Sequence, residues 1–558
     1  MPNLHIKNKL ALILILSLII RLIVAWQPVP ILVERILLDD SLYGFSIAKN
    51  IALGNGITYN GIDVTNGLQP LWVFLISPVY LFFSNINTAV NVILSIEAIL
   101  DTLIVFLIYK FATRLFDERI GLLASFIWAI NPLVFFQTLS GIDVTLYIVM
   151  VLATLVYFNK IKDSLTIKNM AILGLLMGLT FLARGDGIFL FLVLTSYILF
   201  TRRMTLISNK FLTLLLISAV VVSPWLLWNY FTFGTLQQSS ERANYYAAHG
   251  IVPFFDLTPA TTFSEITSRI GENFLRAFGA LANQMGVIDF SLSVGTMVLL
   301  PFFLLKAFAL LKNWSKMTIP LAFSILLILF YAGYMWGVQI RYMTPIVPFL
   351  TILLAAGLFH FMQKPLGSYS EMKITSVINL VFILMIYILA VVLIFNGYAQ
   401  WEKGYFIWQR YIYQDALWIS QNTSESDVIG SFAAGIPIYF SDRTVINLDG
   451  ILNYNATAAI LDKSMYSYMQ SRNISYWIES SYGNQTMIDL RKEGNFSIMK
   501  DNQWASVFES DSDMDLIRNR CGVFKHMRGF DMLVCFYIIK MDYNHERDYE
   551  SLLNKTVA

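Results

Sequence analysis

The sequence predicts an α-helical polytopic membrane protein that carries a soluble α/β domain at its C-terminal end. Three observations predict it. First, 57% of the 558 residues are hydrophobic and only 14% charged, where soluble domains carry about 25% charged residues, so much of the chain is built for lipid. Second, the apolar residues cluster in runs of the ~20 residues that cross ~30 Å of hydrocarbon. Third, this composition ends near residue 398, after which the chain is polar and mixes strand and helix patterns. The chain thus divides into a membrane domain, 1–397, and an α/β domain, 398–558. A net charge of +2 leaves no basic footprint for nucleic acid.

Spans are expected near 9–27, 87–110, 119–138, 144–159, 169–183, 187–201, 210–230, 289–311, 318–336, 342–362 and 375–397, about eleven transmembrane helices by the ~20-residue criterion. The first follows Lys7 and Lys9 and lacks a small-residue cleavage site, so it reads as an uncleaved span. Linkers 109–119, 159–168, 201–210, 311–317 and 363–373 carry lysine and arginine, and the positive-inside rule places them in the cytoplasm. The N-terminus is then cytoplasmic. The alternate loops and everything after 397 face outward from the plasma membrane. One apolar stretch, "LQPLWVFLISPVYLFF" (68–83), is short and carries Pro70 and Pro78. Counting it as a span would invert every later loop, so it is expected to form interfacial helices in the first outer loop.

In the C-terminal region "DVIGSFAAGIPIYF" and "RTVINLDG" read as strands with glycine-containing turns. "YQDALWISQN" reads as an amphipathic helix, and "GVFKHMRGFDMLVCFYII" as a hairpin. Sequons at Asn422, Asn455, Asn473, Asn484, Asn495 and Asn554 fit an exported, glycosylated domain, and chance in an Asn- and Ser-rich stretch explains them equally well. Cys521 and Cys535 match no metal spacing; a disulfide and two buried thiols are equal readings.

Once the loops are assigned, unusual polar residues gather on the outer side. Asp39 and Asp40 follow the first span in "LLDDSLYGFSIAKN" (37–50). Asp143 lies in the outer turn "LSGIDVT", and Arg184 and Asp186 in "ARGDG". Glu241, Arg242 and His249 belong to the long loop opening "NYFTFGTLQQSSERANYYAAHG", and Trp336 and Arg341 to "MWGVQIRYMTP". Each has a plainer role: helix caps for the aspartates, snorkelling for the arginines, and helix–helix pairing for Glu97 and Asp101 inside the second span. Taken together, charges at the mouth of a bundle are costly unless solvated or paired, and their convergence points to a charged ligand. No histidine–cysteine–carboxylate cluster has metal spacing, and no P-loop or dinucleotide fingerprint is present. A sugar on a polyprenyl phosphate suits such a face. Arginines grip the phosphate, and a carboxylate takes the proton of an acceptor hydroxyl as it attacks the anomeric carbon, which inverts the configuration. Phosphate is already a good leaving group, so no cofactor is required; a divalent cation is compatible but not implied.

The chain also resembles a known family on an ordered set of motifs: "DDSLYGFSIAKN", "GNG" (54–56), "YNG" (59–61), "TNGLQPLW" (65–72), Gly141-Ile142-Asp143, "LARGDG" (182–187), "PWLLWNYFTFG" (224–234), "RYMTPIVP" (341–348) and "YFSDRTVINLDGILN" (439–453). These are similar to a prokaryotic branch of the GT-C glycosyltransferases, polyprenyl-phosphate-sugar-dependent enzymes that include protein O-mannosyltransferases, aminoarabinose transferases and arabinofuranosyltransferases. The resemblance covers nearly the whole chain. It implies a GT-C fold and a catalytic base in the acidic pair, with interfacial helices in the first outer loop. Gln69 stands where that branch has histidine, and Asp143 where it has glutamate. On this reading Asp39 is the first choice of base, assisted by Asp40, or the reverse. Arg341, with Arg184 or Arg242, binds the donor phosphate. Asp143, Asp186, Asn66, Gln69, Trp336 and His249 line the substrate pocket. The partners are a lipid-linked sugar donor and a glycan, lipid or protein acceptor. The rivals are a transporter or flippase of lipid-linked sugars, and a membrane-anchored binding protein whose exported domain does the work.

Overall fold

The computed structural model describes residues 2–201, 204–248, 263–285, 317–334, 338–363, 391–483 apart from 392–393, 396, 400, 403, 405, 407 and 463, and the strands 514–525 and 531–541. Helix α1 (Pro2–Ala25) is followed by a short α2 (Val29–Arg35), and then by α3 (Asp39–Ala52), α4 (Pro70–Ile76) and α5 (Val79–Phe82), which occupy the first long loop. The bundle continues with α6 (Ile86–Leu115), α7 (Glu118–Ile130), α8 (Pro132–Thr138), α9 (Val144–Ile161), α10 (Ile167–Ala183), α11 (Gly187–Thr201) and α12 (Asn209–Phe233). A second long loop holds α13 (Ser239–Ala248) and α14 (Phe263–Gln284). After it come α15 (Thr318–Tyr334), α16 (Ile340–Met343), a 3-10 turn Thr344–Ile346 and α17 (Val347–Gln363).

Among the described residues five helices are long and apolar enough to cross a membrane: Ile6–Ala25, Ile86–Leu115, Val144–Ile161, Asn209–Phe233 and Ile340–Phe359. Three shorter apolar helices, Ile167–Ala183, Gly187–Thr201 and Thr318–Gly333, coincide with further expected spans. The expected spans at 289–311 and, for the most part, 375–397 lie outside the described residues. The span expected at 119–138 is not straight: α7 and α8 meet at 70°. Pro132 supplies no N–H to the helix ladder, and the Asn131 side chain instead accepts the Leu133 N–H at 3.1 Å. Segment 68–83 forms two short helices, α4 and α5, with Trp72, Val73 and Ile76 buried and Leu81 and Phe82 exposed. Pro70–Phe82 is thus a fourth short apolar stretch, buried on protein along one side and exposed along the other.

A buried ion pair and a third buried carboxyl lie deep in the bundle. Arg21 of α1 is fully buried, pairs with Asp101 of α6, and donates to the Ala129 carbonyl at 2.9 Å. Asp101 also accepts the Trp128 indole N–H at 3.0 Å. Glu97, one turn before Asp101, accepts the Gly141 N–H at 3.0 Å. The pairing role considered for Asp101 is therefore filled by Arg21. Removing one partner of a buried pair strands the other charge, at about 3–5 kcal/mol. Arg21→Leu is expected to lose most folded protein in detergent, while Arg21→Leu with Asp101→Leu recovers it; the yield of monodisperse protein checks this.

The C-terminal domain comprises α18 (Gln409–Asn422), β1 (Val428–Ser431), α19 (Gly435–Phe440), β2 (Thr444–Asn447), α20 (Tyr454–Leu461), α21 (Met465–Ser471), β3 (Ile474–Gly483), β4 (Met514–Lys525) and β5 (Asp531–Met541). The sheet order is β2-β1-β3-β5-β4. β1 runs parallel to β2 and β3, and β5 antiparallel to β3 and β4. The expected strand over "DVIGSFAAGIPIYF" is only half correct. Val428–Ser431 is a strand, but Gly435–Phe440 is a helix, because its apolar residues are needed on an interdomain face rather than in the sheet. The hairpin over 522–539 is present, with Cys521 opposite Cys535 in its backbone register.

The domain is fastened to the first long loop. Gln409 donates to the Val33 and Leu37 carbonyls at 2.7 and 2.6 Å and accepts the Asp39 N–H at 2.9 Å. Arg472 donates to both oxygens of Asp63 at 2.8 and 2.6 Å. Asn60 donates to the Val445 carbonyl at 3.0 Å, and Ser239 of the second long loop to Ile451 at 2.8 Å. Gly67 fits beneath this contact: a Cβ there would overlap the Ile451 carbonyl and the Ser239 hydroxyl.

Candidate active site

Helix α3 begins at Asp39, so both aspartates of the pair occupy its first turn, where carboxylates oppose the positive end of the helix dipole. Neighbouring residues of a helix project about 100° apart, and the two carboxylates accordingly diverge. Asp39 turns into the C-terminal domain. It is 8% exposed and accepts the Gly435 and Ile436 N–H groups at 3.2 and 2.7 Å. Gly435 is required there, since a Cβ would overlap the Asp39 carbonyl oxygen. Burial pushes the Asp39 carboxyl up to about 7, against the opposing pull of the Ile436 N–H, and the charge of Asp40 pushes the same way as burial.

Asp40 turns toward the bundle. Its side chain is 42% exposed and meets the Arg341 guanidinium at 2.7 Å, while that arginine is 13% exposed. Arg341 also lies over the Tyr342 ring at 5.3 Å, and Arg184 over the same ring at 5.1 Å. Tyr342 stacks on Tyr331, centroids 4.6 Å apart and planes 4° from parallel. Arg184 bonds Asp143 at 2.9 Å and Asp186 at 2.6 Å, and donates to the Tyr331 hydroxyl at 3.2 Å. Tyr331 in turn donates to Asp186 at 2.5 Å. Asp143 is thus engaged by Arg184, and its side chain caps no helix. A continuous polar chain therefore runs from Asp40 through Arg341, Tyr342 and Arg184 to Asp143 and Asp186. Glu241 sits beside Gly185 on the rim of this chain. Burial, with the nearby charge of Asp186, raises its carboxyl above the ordinary range against the bond from the Gln238 backbone.

The other expected site residues are distributed differently. Arg242 lies over the Tyr454 ring at 4.2 Å and near Tyr246 at 5.7 Å, at the seam between the second long loop and the C-terminal domain. Asn66 is fully buried; it donates to the Gln237 carbonyl at 3.2 Å and accepts the Ser239 N–H at 2.9 Å, joining the two long loops. Gln69 stands half-buried at the start of α4. Trp336 and His249 lie outside the described residues. Among the described residues, no group of three or more histidine, cysteine, aspartate or glutamate side chains is arranged to hold a metal.

Sequence reasoning passed over Tyr43, Tyr331, Tyr342 and Asp449. Asp449 follows β2 in a turn fixed by its own Oδ1, which accepts the Ile451 N–H at 2.8 Å. Its Oδ2 accepts from the Tyr43 hydroxyl at 3.5 Å. Burial pushes Asp449 up to about 7, opposed by its bonds from Ile451 and Asn447, and the charges of Asp40 and Asp39 push it further up. The Asp-Gly pair at 449–450 was legible as a turn, but nothing in the local sequence tells that it faces α3.

Residues 69–228, from α4 into α12, match the family described as dolichyl-phosphate-mannose-protein mannosyltransferase, and residues 404–531 match a domain of unknown function. No curated protein matches significantly. Among solved structures, ArnT from Cupriavidus metallidurans bound to undecaprenyl phosphate aligns at 12% identity and a TM-score of 0.55, over 93% of this chain and 97% of that one. The apo oligosaccharyltransferase of Archaeoglobus fulgidus aligns at 16% and 0.55, over 85% and 69%. The same organism's oligosaccharyltransferase AglB, in complex with an inhibitory peptide and a dolichol-phosphate, aligns at 15% and 0.54, over 98% and 75%. The chain carries the fold of the GT-C glycosyltransferase superfamily, and its bundle between residues 69 and 228 matches the mannosyltransferase family.

Proposed function

We propose that this protein is an inverting glycosyltransferase that moves a sugar from a polyprenyl-phosphate donor to an acceptor hydroxyl at the outer face of the plasma membrane. The observation that carries this reading is the Asp40–Arg341 pair at 2.7 Å, with Asp40 substantially exposed. It sets a carboxylate and a phosphate-binding group side by side at one end of a membrane bundle. Two structural neighbours hold undecaprenyl phosphate and a dolichol-phosphate, which supports the donor class.

Asp40 is the better base of the pair, because the Asp39 oxygens are already taken by two backbone N–H groups. The donor phosphate competes with Asp40 for Arg341, so donor binding itself releases the carboxylate that must take the proton. The acceptor oxygen bonds to the anomeric carbon as that carbon's bond to the phosphate oxygen breaks. The hydroxyl proton passes to Asp40, and the phosphate leaves with the bonding electrons, its charge met by Arg341. Attack opposite the leaving group inverts the anomeric centre. Arg184, held by Asp143 and Asp186, shapes the sugar side of the site through the shared Tyr342 ring.

The test uses protein in lipid nanodiscs with polyprenyl-phosphate sugars of several kinds. Release of polyprenyl phosphate and the anomeric configuration of the product are followed. Arg341→Gln is expected to raise the donor KM at least about tenfold, consistent with loss of a charge-assisted bond of about 1.5–3 kcal/mol. Movement of intact donor between leaflets without cleavage would instead establish the flippase reading.

A further inference from the structure

We propose that Asp449 of the C-terminal domain is an acceptor-binding residue of the same site, so that the site's acidic wall is assembled across both domains. This rests on the glycosyl-transfer reading above and adds to it the task of the C-terminal domain. Three observations carry it. The turn that bears Asp449 is rigid: Asp449 Oδ1 accepts the Ile451 N–H, the Asn447 side chain accepts the Leu452 N–H at 3.2 Å, and Asn453 donates to the Asn447 carbonyl at 2.8 Å. The second oxygen of the carboxylate, Oδ2, is aimed out of that turn at Tyr43, one helical turn beyond Asp39 and Asp40 on α3. Finally, the domain cannot drift from this place, because α19 meets Asp39 through two N–H bonds and the Ala434 N–H donates to the Tyr43 hydroxyl at 3.2 Å.

Asp449 does not serve the fold in the way Asp39 does. The bonds from Ile451 and Asn447 hold Asp449 in its turn, and its contact to the Tyr43 hydroxyl is long. An acceptor hydroxyl placed between Asp449 and Asp40 would be oriented by the first and deprotonated by the second. The charged and titratable groups around Asp449 are Tyr43, Asp39 and Asp40 of α3, with Arg341 facing Asp40 from the bundle. The cluster is thus richer in acid than in base. It suits an acceptor that presents neutral hydroxyls or a cationic group rather than an acidic one.

The experiment compares Asp449→Asn, Asp449→Glu and Arg472→Ala in the full chain, in nanodiscs, with the donor that the wild type uses. Arg472→Ala loosens domain docking at Asp63 without touching the acidic cluster. Asp449→Asn is expected to raise the acceptor KM about tenfold or more and leave the donor KM unchanged. Asp449→Glu restores part of the acceptor affinity. Unchanged acceptor KM in Asp449→Asn, or the same rise in Arg472→Ala, would overturn the proposal. Inactivity of the wild type on every polyprenyl-phosphate sugar would instead remove the underlying transferase reading.

Discussion

On the proposed glycosyl-transfer reading, Asp40→Asn is expected to lower the turnover number by about 10²–10⁴-fold, the usual contribution of a general base, and to leave the protein folded. Asparagine keeps the size of the side chain and still offers Arg341 an oxygen, but it takes no proton at any working pH. The stability cost is small because the pair is partly solvated, with Asp40 42% exposed, and such pairs contribute only about 0–1 kcal/mol. Donor binding should survive and even tighten, since the carboxylate that competes for Arg341 is neutralised. The expected signature is therefore a collapsed kcat with an equal or lower donor KM. Near-normal kcat in Asp40→Asn would rule this residue out as the base.

Asp39→Asn has a different effect, and pH reveals it. In the folded protein the Asp39 carboxyl is pushed from 3.8 to about 7. The native state therefore holds this proton more tightly than the unfolded chain does. Stability from this group is complete in acid and is lost as pH rises from about 4 through about 7, at about 1.4 kcal/mol per pH unit, or about 4 kcal/mol in all. Asparagine does not titrate, so that slope disappears. It also turns an NH2 toward the Gly435 or Ile436 N–H, leaving a buried donor unsatisfied at about 1–3 kcal/mol at every pH. Thermal midpoints in detergent, measured from pH 5 to pH 8.5, should show the variant well below wild type in acid, with the gap closing or reversing in base. Two parallel curves would show that Asp39 stays ionised throughout and serves purely as the acceptor for α19.

The separation of roles between these two adjacent residues shows how far the sequence could be read. The pair itself, the basic linkers and the apolar runs were all legible, because each is a local pattern with its own physical cause. The proximity of Arg341 to Asp40 was expected at the level of a shared rim. Which aspartate faced it was not, since that depends on where α3 begins and on the rotation between successive helical positions. Arg242 was grouped with the phosphate-binding arginines because it shares an outer loop with other charges. The structure commits it to Tyr454, an aromatic partner about two hundred residues away that no local pattern announces. Asn66 likewise looked like a pocket residue in "TNGLQPLW", and it fastens one loop to another. The bend at Asn131–Pro132 was visible as a proline, but apolar content suggested one continuous span.

The sequence by itself determined that this chain is built of long apolar helices, and that acids and arginines collect in the turns between them. Hydropathy and charge act residue by residue against lipid and water, so they need no partner to be read. Only the tertiary structure decided that Asp39 is spent on a backbone turn of the distant C-terminal domain, that Asp40 is left to Arg341, and that Asp449 comes to stand beside them. Those outcomes depend on contacts across some four hundred positions of chain, and at Gly435 and Gly67 any Cβ would be driven into a backbone carbonyl oxygen of the facing segment.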